Sequence, residues 1–337
     1  MLGLADVDSV DSKGLWKAYK AWPAASRRAL AEPLSLPRFN DPKLIVLAGM
    51  GGSGAACDIV HDWLSANGKT PCAVVKDFHL PRFVDKHCLV FAISLSGNTR
   101  EILSVLGEAV ARKCSVVAFS SDGELEKECK KTGVPFNRVE RLLVPRASLP
   151  GMVLLPLRIL QDMALAKTST DIEDAVRSLR KTFSDISPDV DFQHNPAKRL
   201  ARFLWKSSPV VYSSLGHLSA ANHFRASMNE NAKIPVGVGS FPEIFHNEIE
   251  TWYHPRKRAV VLLRHGLEDK EVARRLARAR SLMAKRGIRV FEVKQEGRLL
   301  ASLLDWCLFL DMVSIYVAVL NGRSPSETHL IDMIRSV

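Results

Sequence analysis

Short apolar runs alternate with longer segments of helical periodicity along most of this chain. From residue 44 onward the alternation predicts strands at 44–48, 72–75, 89–93, 115–119 and 141–144, separated by helices near 53–66, 99–112, 123–132 and 150–166. Strands that alternate with helices are typical of an α/β fold with a parallel sheet. The first half is therefore predicted to be a doubly wound, mostly parallel sheet flanked by helices.

The second half repeats this pattern. It predicts a strand at 209–213, a helix through Met228, a strand at 259–263, a helix near 268–286 and a strand at 288–291. The Gly/Pro-rich stretch from Pro235 to Pro242 is predicted to be a loop. We therefore expect an N-terminal helical segment (1–40), a first α/β domain (41–166), a helical linker (167–195) and a second α/β domain (196–337).

Two polar segments follow neighbouring strands of the first domain. They read Gly49-Met50-Gly51-Gly52-Ser53-Gly54 and Ser94-Leu95-Ser96-Gly97-Asn98-Thr99. Loops at the carboxyl ends of neighbouring parallel strands face one crevice, where open α/β sheets bind their ligands. The second segment brings three hydroxyls to a helix N-terminus, which favours an anion. The pair predicts a phosphate site.

The corresponding segment of the second half is different, because Glu268 and Asp269 stand where the first half has hydroxyls. An acidic helix start repels phosphate, so we expect the second domain to supply other groups. Glu230, between two asparagines at the end of a helix, is either a general base or a solvated helix-end acid. His246, beyond the Pro235–Pro242 loop, is either catalytic or a surface residue.

Composition limits the remaining classes of function. The 337 residues carry a formal net charge of +11. The densest group of basic residues surrounds one helix and has no interleaved aromatic residues. We therefore expect a solvated helix face and no nucleic-acid partner. The six cysteines show no zinc-site spacing. No signal-like segment opens the sequence, and the apolar stretches are judged too short to span a bilayer. A cytoplasmic protein without a membrane partner is expected.

Four segments together resemble the archaeal bifunctional phosphoglucose/phosphomannose isomerases, which consist of two sugar isomerase (SIS) domains. They are the two polar segments above, Asn229-Glu230-Asn231-Ala232-Lys233-Ile234, and Pro242-Glu243-x-x-His246-Asn247. The similarity extends from about residue 44 to the C-terminus. It implies tandem SIS-type domains, a homodimer with shared active sites, sugar 6-phosphate substrates, and no metal or other cofactor.

The resemblance also implies a role for individual residues. Glu230 would move a proton between C1 and C2 through a cis-enediol, and His246, supplied by the partner subunit, would assist ring opening. Thr328 would leave room for either C2 epimer, and Arg335 stands where the family has a lysine. The phosphate-binding residues would be Gly52, Ser53, Ser94, Ser96 and Thr99.

Two departures from the family, at Gly151 and at Arg335, keep a second function open. Gly151 occupies the position at which the family is expected to carry an arginine that stabilises the enediolate, and Arg146 or Arg158 would have to replace it. Loss of such a preorganised cation costs about 10²- to 10³-fold in rate. The alternatives to an isomerase of this specificity are therefore a sugar-phosphate-binding sensor with little turnover, or a related isomerase with a different substrate.

Overall fold

The computed structural model describes residues 2–37, 41–214, 216–254 and 257–335, the last of them by its backbone only. The chain divides into two compact bodies. The N-terminal body is Ala21–Arg177, and the C-terminal body combines the residues up to Lys20 with those from Ser178 onward. The division falls within helix α8 (Ser169–Ile186).

The N-terminal body is a five-stranded sheet in the order β2-β1-β3-β4-β5, with every neighbouring pair parallel. Its strands are β1 (Leu44–Gly49), β2 (Cys72–Val75), β3 (Cys88–Ile93), β4 (Ser115–Ser120) and β5 (Phe136–Arg138). Its helices before α8 are α3 (Trp22–Ala31), α4 (Gly51–Asn67), α5 (Arg100–Ala111), α6 (Glu124–Thr132) and α7 (Leu149–Asp162).

Two inner strands, β1 and β3, explain why the fold of this half was recognisable from the sequence. All six residues of β3 and five of the six in β1 are buried, which matches the unbroken apolar runs of a parallel sheet covered on both faces. Helices α4 and α7 pack together, and α3 packs on α7. The Trp22 indole N–H fixes this layer by donating to the Ala147 carbonyl at 2.7 Å.

The C-terminal body contains a four-stranded parallel sheet in the order β7-β6-β8-β9. Its strands are β6 (Ser208–Ser214), β7 (Gly237–Phe241), β8 (Arg258–His265) and β9 (Arg289–Gln295). Its helices are α1 (Leu4–Val10), α2 (Leu15–Lys20), α9 (Pro196–Leu204), α10 (Leu218–Ser227), α11 (Lys270–Lys285), α12 (Leu299–Leu320) and α13 (His329–Arg335).

Helix α12 is the core helix of the C-terminal body, and α1, α2, α9 and α10 contact it. Its 22 residues have a mean hydropathy of 2.0, so by length and composition alone it would cross a membrane. This corrects the sequence-based expectation that no apolar stretch is long enough. The most apolar window is 89% buried inside the protein, which is the environment of a core helix.

The predicted α/β class with two mostly parallel sheets is confirmed. Two local predictions are wrong. The strand expected at 141–144 is absent, because β4 pairs instead with Phe136–Arg138, and the Leu142 N–H donates to the Ser148 hydroxyl. The predicted loop from Pro235 to Pro242 contains edge strand β7, whose glycines hide the strand pattern.

Candidate functional site

The two polar segments of the N-terminal body form one connected structure. Met50 precedes α4 without a side-chain cap, and the first residues of that helix are Gly51 and Gly52. The Leu95 backbone N–H donates to Ser53 Oγ at 3.2 Å, and Ser53 Oγ in turn lies 3.3 Å from Met152 Sδ. Ser53 is buried between the segments, so its hydroxyl fixes their separation.

The three hydroxyls of the second segment converge at the start of α5. Ser94 Oγ donates to Thr99 Oγ1 at 2.8 Å, and Ser96 Oγ lies 3.5 Å from Ser94 Oγ and 3.4 Å from Thr99 Oγ1. Thr99 is the N-cap residue of α5, but its side chain does not cap the helix. The structure thus places three predicted phosphate ligands together beside helix N–H groups, as an oxyanion requires.

Glycine is needed in these loops for close backbone approach. A Cβ on Gly97, whose φ is +67°, would lie 1.7 Å from the Asp122 carbonyl oxygen. A Cβ on Gly49 would lie 2.8 Å from the Ser53 backbone. Nothing lies within 4 Å of a Cβ on Gly51, so the glycine segment is open at Gly51, whereas a Cβ on Gly52 would meet the Arg146 backbone at 3.2 Å.

The three positions considered for the enediolate cation have different surroundings. Gly151 lies on α7, where a Cβ would meet only Val139 at 3.1 Å. Arg158 donates to the carbonyls of Leu30 and Glu32, both at 2.7 Å, and so caps the end of α3. Arg146 is buried, and its Cα would be 3.2 Å from a Cβ on Gly52. Of the two arginines, Arg146 is the one beside the glycine segment.

The corresponding loop of the C-terminal body is closed by its own side chains. Glu268 accepts from the His265 backbone N–H at 3.1 Å and from Arg264 Nε at 2.7 Å. Asp269 caps α11 by accepting from the N–H groups of Glu271 and Val272. The acidic residues predicted to repel phosphate therefore occupy the anion position themselves. Burial lowers the pKa of the neighbouring His265.

Glu230 lies on a π-helical turn, Met228–Ala232, that continues α10. The turn is fixed to α12 from the buried side, where Asn231 Nδ2 donates to Ser314 Oγ at 2.7 Å. Glu230 itself is half-buried. One asparagine beside the candidate base therefore has a positional role, and such π turns are frequent at functional sites.

A second buried link fixes α10 to α12 one turn earlier. His223 Nε2 lies 2.9 Å and 3.0 Å from the two carboxylate oxygens of Asp311, and the Ser227 hydroxyl donates to the same carboxylate at 2.5 Å. All three side chains are buried. The sequence reasoning missed these residues, although a histidine on an otherwise apolar helix face and an aspartate inside an apolar run were both visible.

His246 is exposed at the end of a 3₁₀ turn, Glu243–His246. The next 3₁₀ segment begins at Glu248, whose carboxylate accepts from the Tyr212 hydroxyl at 2.6 Å. Burial raises the pKa of Tyr212, so this phenol remains a donor. The bond joins the His246 segment to the centre of the second sheet.

Thr328 is half-buried immediately before α13, and its carbonyl accepts the first backbone hydrogen bonds of that helix. Lys233, named in the sequence only as part of a motif, donates to the carbonyls of Ser324 and Glu327 as well as to that of Glu230. The Arg335 side chain lies outside the described residues.

Comparison with known proteins agrees with this arrangement. Residues 193–337 match the family model of the bacterial phospho-glucose isomerase C-terminal SIS domain. The chain is 15% identical to a solved structure, the C-terminal domain of glucosamine-fructose-6-phosphate aminotransferase from Francisella tularensis, with a TM-score of 0.71. That match covers 91% of this chain and 96% of the other, and it shows a shared fold.

Two relatives are similar in sequence over nearly their whole length. The bifunctional phosphoglucose/phosphomannose isomerase of Aquifex aeolicus is 32% identical over 87% of this chain and 89% of its own. The protein of the same name from Caldicellulosiruptor bescii is 30% identical over 89% of this chain and 90% of its own. The chain therefore belongs to the bifunctional phosphoglucose/phosphomannose isomerase family of tandem SIS-domain proteins.

Proposed function

We propose that this protein interconverts glucose 6-phosphate and mannose 6-phosphate with fructose 6-phosphate through a cis-enediol. The observation that carries the proposal is the hydroxyl cluster of Ser94, Ser96 and Thr99, held to the glycine segment through Ser53. The cluster offers hydroxyl and backbone N–H donors, but no carboxylate, to a phosphate dianion. Family membership supports the same substrate class.

In this proposal the phosphate is bound by Ser94, Ser96 and Thr99, with the backbone of Gly52 and with Ser53 as the joining residue. Anchoring the phosphate converts proton transfer at C1 and C2 into a reaction of an oriented sugar chain. The net charge of +11 favours capture of an anionic substrate without calling for a polymer.

Glu230 is proposed as the base that removes the proton at one carbon and returns it at the other. A base for this step must be held rigidly, and the link from Asn231 to Ser314 supports that requirement. His246 is proposed to act in ring opening, for which an imidazole has a suitable pKa range. Its exposure is compatible with action in the active site of a second copy, and the homodimer is part of the proposal.

We assign the cation that stabilises the enediolate to Arg146. Its backbone contacts the glycine segment, whereas Arg158 is engaged by two helix-end carbonyls. A buried arginine whose backbone lies against the glycine segment is preorganised and loses little through reorganisation. With Arg146 in this role, the proposal has a cation for the enediolate although Gly151 occupies the position of the family arginine. The sensor alternative, which rested on Gly151 and Arg335, is decided by the assay below.

The test is an assay of the purified protein with fructose, glucose and mannose 6-phosphates. Wild-type protein should turn over at least one aldose, and Glu230→Gln should lower kcat by about 10²- to 10⁴-fold with little change in KM. Glu250→Gln, an exposed carboxylate of the same body, is the matched control.

The outcomes separate the candidates. Binding of all three sugars without turnover would replace the isomerase by the sensor. Turnover that survives Glu230→Gln would remove the base assignment alone. Arg146→Gln should lower kcat by about 10²-fold, while Arg158→Gln should affect mainly stability.

A further inference from the structure

The Lys233 ammonium joins the turn that carries Glu230 to the segment just before α13. Nζ donates to the carbonyl of Glu230 at 2.6 Å, to that of Ser324 at 3.1 Å and to that of Glu327 at 2.6 Å. An ammonium has three protons, so these three carbonyls match its donors in number. Charge-assisted hydrogen bonds of this kind are stronger than neutral ones.

The position of Lys233 in the backbone directs its side chain back to Glu230. Lys233 ends the π turn in the left-handed region, with φ +59°, and its N–H donates to the Met228 carbonyl. A non-glycine residue in this region is strained. A glycine would end the turn at lower cost, but it would lack the side chain that reaches the three carbonyls.

The two other carbonyls belong to the segment just before α13. Glu327 immediately precedes Thr328, the residue that by family resemblance would leave room for either C2 epimer. The Thr328 carbonyl accepts the first backbone hydrogen bonds of α13. This segment has no regular secondary structure between Gly322 and Thr328. We call the hydrogen bonds from Lys233 to the carbonyls of Ser324 and Glu327 the clamp. The clamp fixes where Thr328 lies relative to the turn that carries Glu230.

We propose that Lys233 is a positioning residue that sets the distance between Thr328 and Glu230 and thereby tunes discrimination between the C2 epimers. The proposal rests on the proposed isomerase function. The π turn is already fixed to α12 by Asn231 and Ser314, so the clamp moves the Thr328 segment rather than the base. Loss of Lys233 should alter epimer preference more than proton transfer itself.

The variant is Lys233→Met, which keeps the length of the side chain and removes its three donors. The matched control is Lys206→Met, because Lys206 has the same backbone conformation, with φ +58°, but stacks its ammonium on the Trp205 ring. We expect the ratio of kcat/KM for glucose 6-phosphate to that for mannose 6-phosphate to change by about tenfold in Lys233→Met and to stay within about twofold in the control.

A second measurement does not depend on activity. Hydrogen exchange of the backbone amides in residues 324–335 should be about tenfold faster in Lys233→Met than in wild type, with α9 unchanged. Lys233→Arg keeps the positive charge but arranges its N–H donors differently. Its epimer ratio and its exchange rate in residues 324–335 should lie between those of wild type and Lys233→Met. It also supplies a folded variant if Lys233→Met does not accumulate.

The results distinguish this inference from the proposed function. An active wild type with an unchanged epimer ratio in both Lys233 variants overturns the specificity role. Unchanged exchange in residues 324–335 overturns the clamp itself. A wild type without turnover overturns the isomerase proposal and the specificity role with it, and the exchange measurement then decides the clamp alone.

Discussion

The backbone N–H of Leu95 donates to the hydroxyl of Ser53 at 3.2 Å, across 42 residues of sequence. This bond makes a single structure of two loops that the sequence presents as separate motifs. Since Ser53 also contacts Met152 on α7, the loops are fixed to the core of the N-terminal body. A rigid mount of this kind preorganises a phosphate site and reduces the entropy cost of binding.

We expect Thr99→Val to weaken binding of fructose 6-phosphate by about 10- to 100-fold, because a hydrogen bond to a charged ligand is lost without a change of volume. Isothermal titration calorimetry measures the effect. Thr132→Val is the control, since Thr132 donates to the Glu128 carbonyl on α6, outside the cluster. Equal affinity of the two variants would show that the phosphate does not contact Thr99.

Gly97→Ala should destabilise the protein by at least about 2 kcal/mol, because the added methyl group collides with the Asp122 carbonyl and the φ of +67° disfavours alanine. The control is Gly107→Ala, where nothing lies within 4 Å of a Cβ inside α5. That substitution should stabilise the helix by about 0.5–1 kcal/mol. Urea unfolding measures both, and a neutral Gly97→Ala would contradict the loop geometry.

Asp305 predicts a pH dependence of stability. Burial within α12 raises the pKa of this carboxyl from its ordinary value of 3.8 to about 6, against a hydrogen bond from Thr182 that lowers it. Because the folded-state pKa is the higher one, folding takes up a proton between these values. The free energy of unfolding should therefore fall as pH rises from about 4 to about 6, by up to about 3 kcal/mol.

Asp305→Asn isolates this contribution. As pH rises from about 4 to about 6, the wild type should lose stability relative to the variant. Above about pH 7 the difference in unfolding free energy between the two proteins should stay constant. Urea titrations at pH 4.5 and pH 7.5 measure it. A difference that does not vary with pH would show that folding does not change the pKa of Asp305.

Asp311→Asn should destabilise the protein at neutral pH, whereas Asp305→Asn gains stability relative to wild type as pH rises. The two variants carry the same substitution on the same apolar helix. Asp311 accepts from both His223 and Ser227, and an asparagine would turn an N–H group toward one of these donors. Breaking a buried pair costs about 3–5 kcal/mol. Urea unfolding at pH 7.5 compares the two variants, and a stable Asp311→Asn would contradict a structural role for the pair.

The sequence predicted those parts of the fold in which local pattern and tertiary environment agree. Strands β1 and β3 were recognised because residues buried on both faces of a sheet are uniformly apolar. Strand β7 was missed because Gly237 and Gly239 give no apolar signal. Gly239 has no room for a side chain, since a Cβ there would meet Ile244 at 2.7 Å and Tyr212 at 2.9 Å.

The candidate site was predictable to a similar extent. Hydroxyls spaced along one loop must converge at the helix start that follows them, so Ser94, Ser96 and Thr99 could be grouped from their spacing. Nothing in the spacing places Arg146 beside Gly52 or brings Lys233 to Glu327, because both contacts join segments far apart in the chain.

The sequence by itself determined the α/β class, the two parallel sheets and the family, because apolar periodicity and motif composition are local properties of the chain. Only the tertiary structure decided how Ser53 joins the loops, how Glu268 closes the corresponding loop of the other body, and where Lys233 donates its protons. These contacts depend on which buried surfaces pack together. Packing is a property of the whole fold, which no single segment specifies.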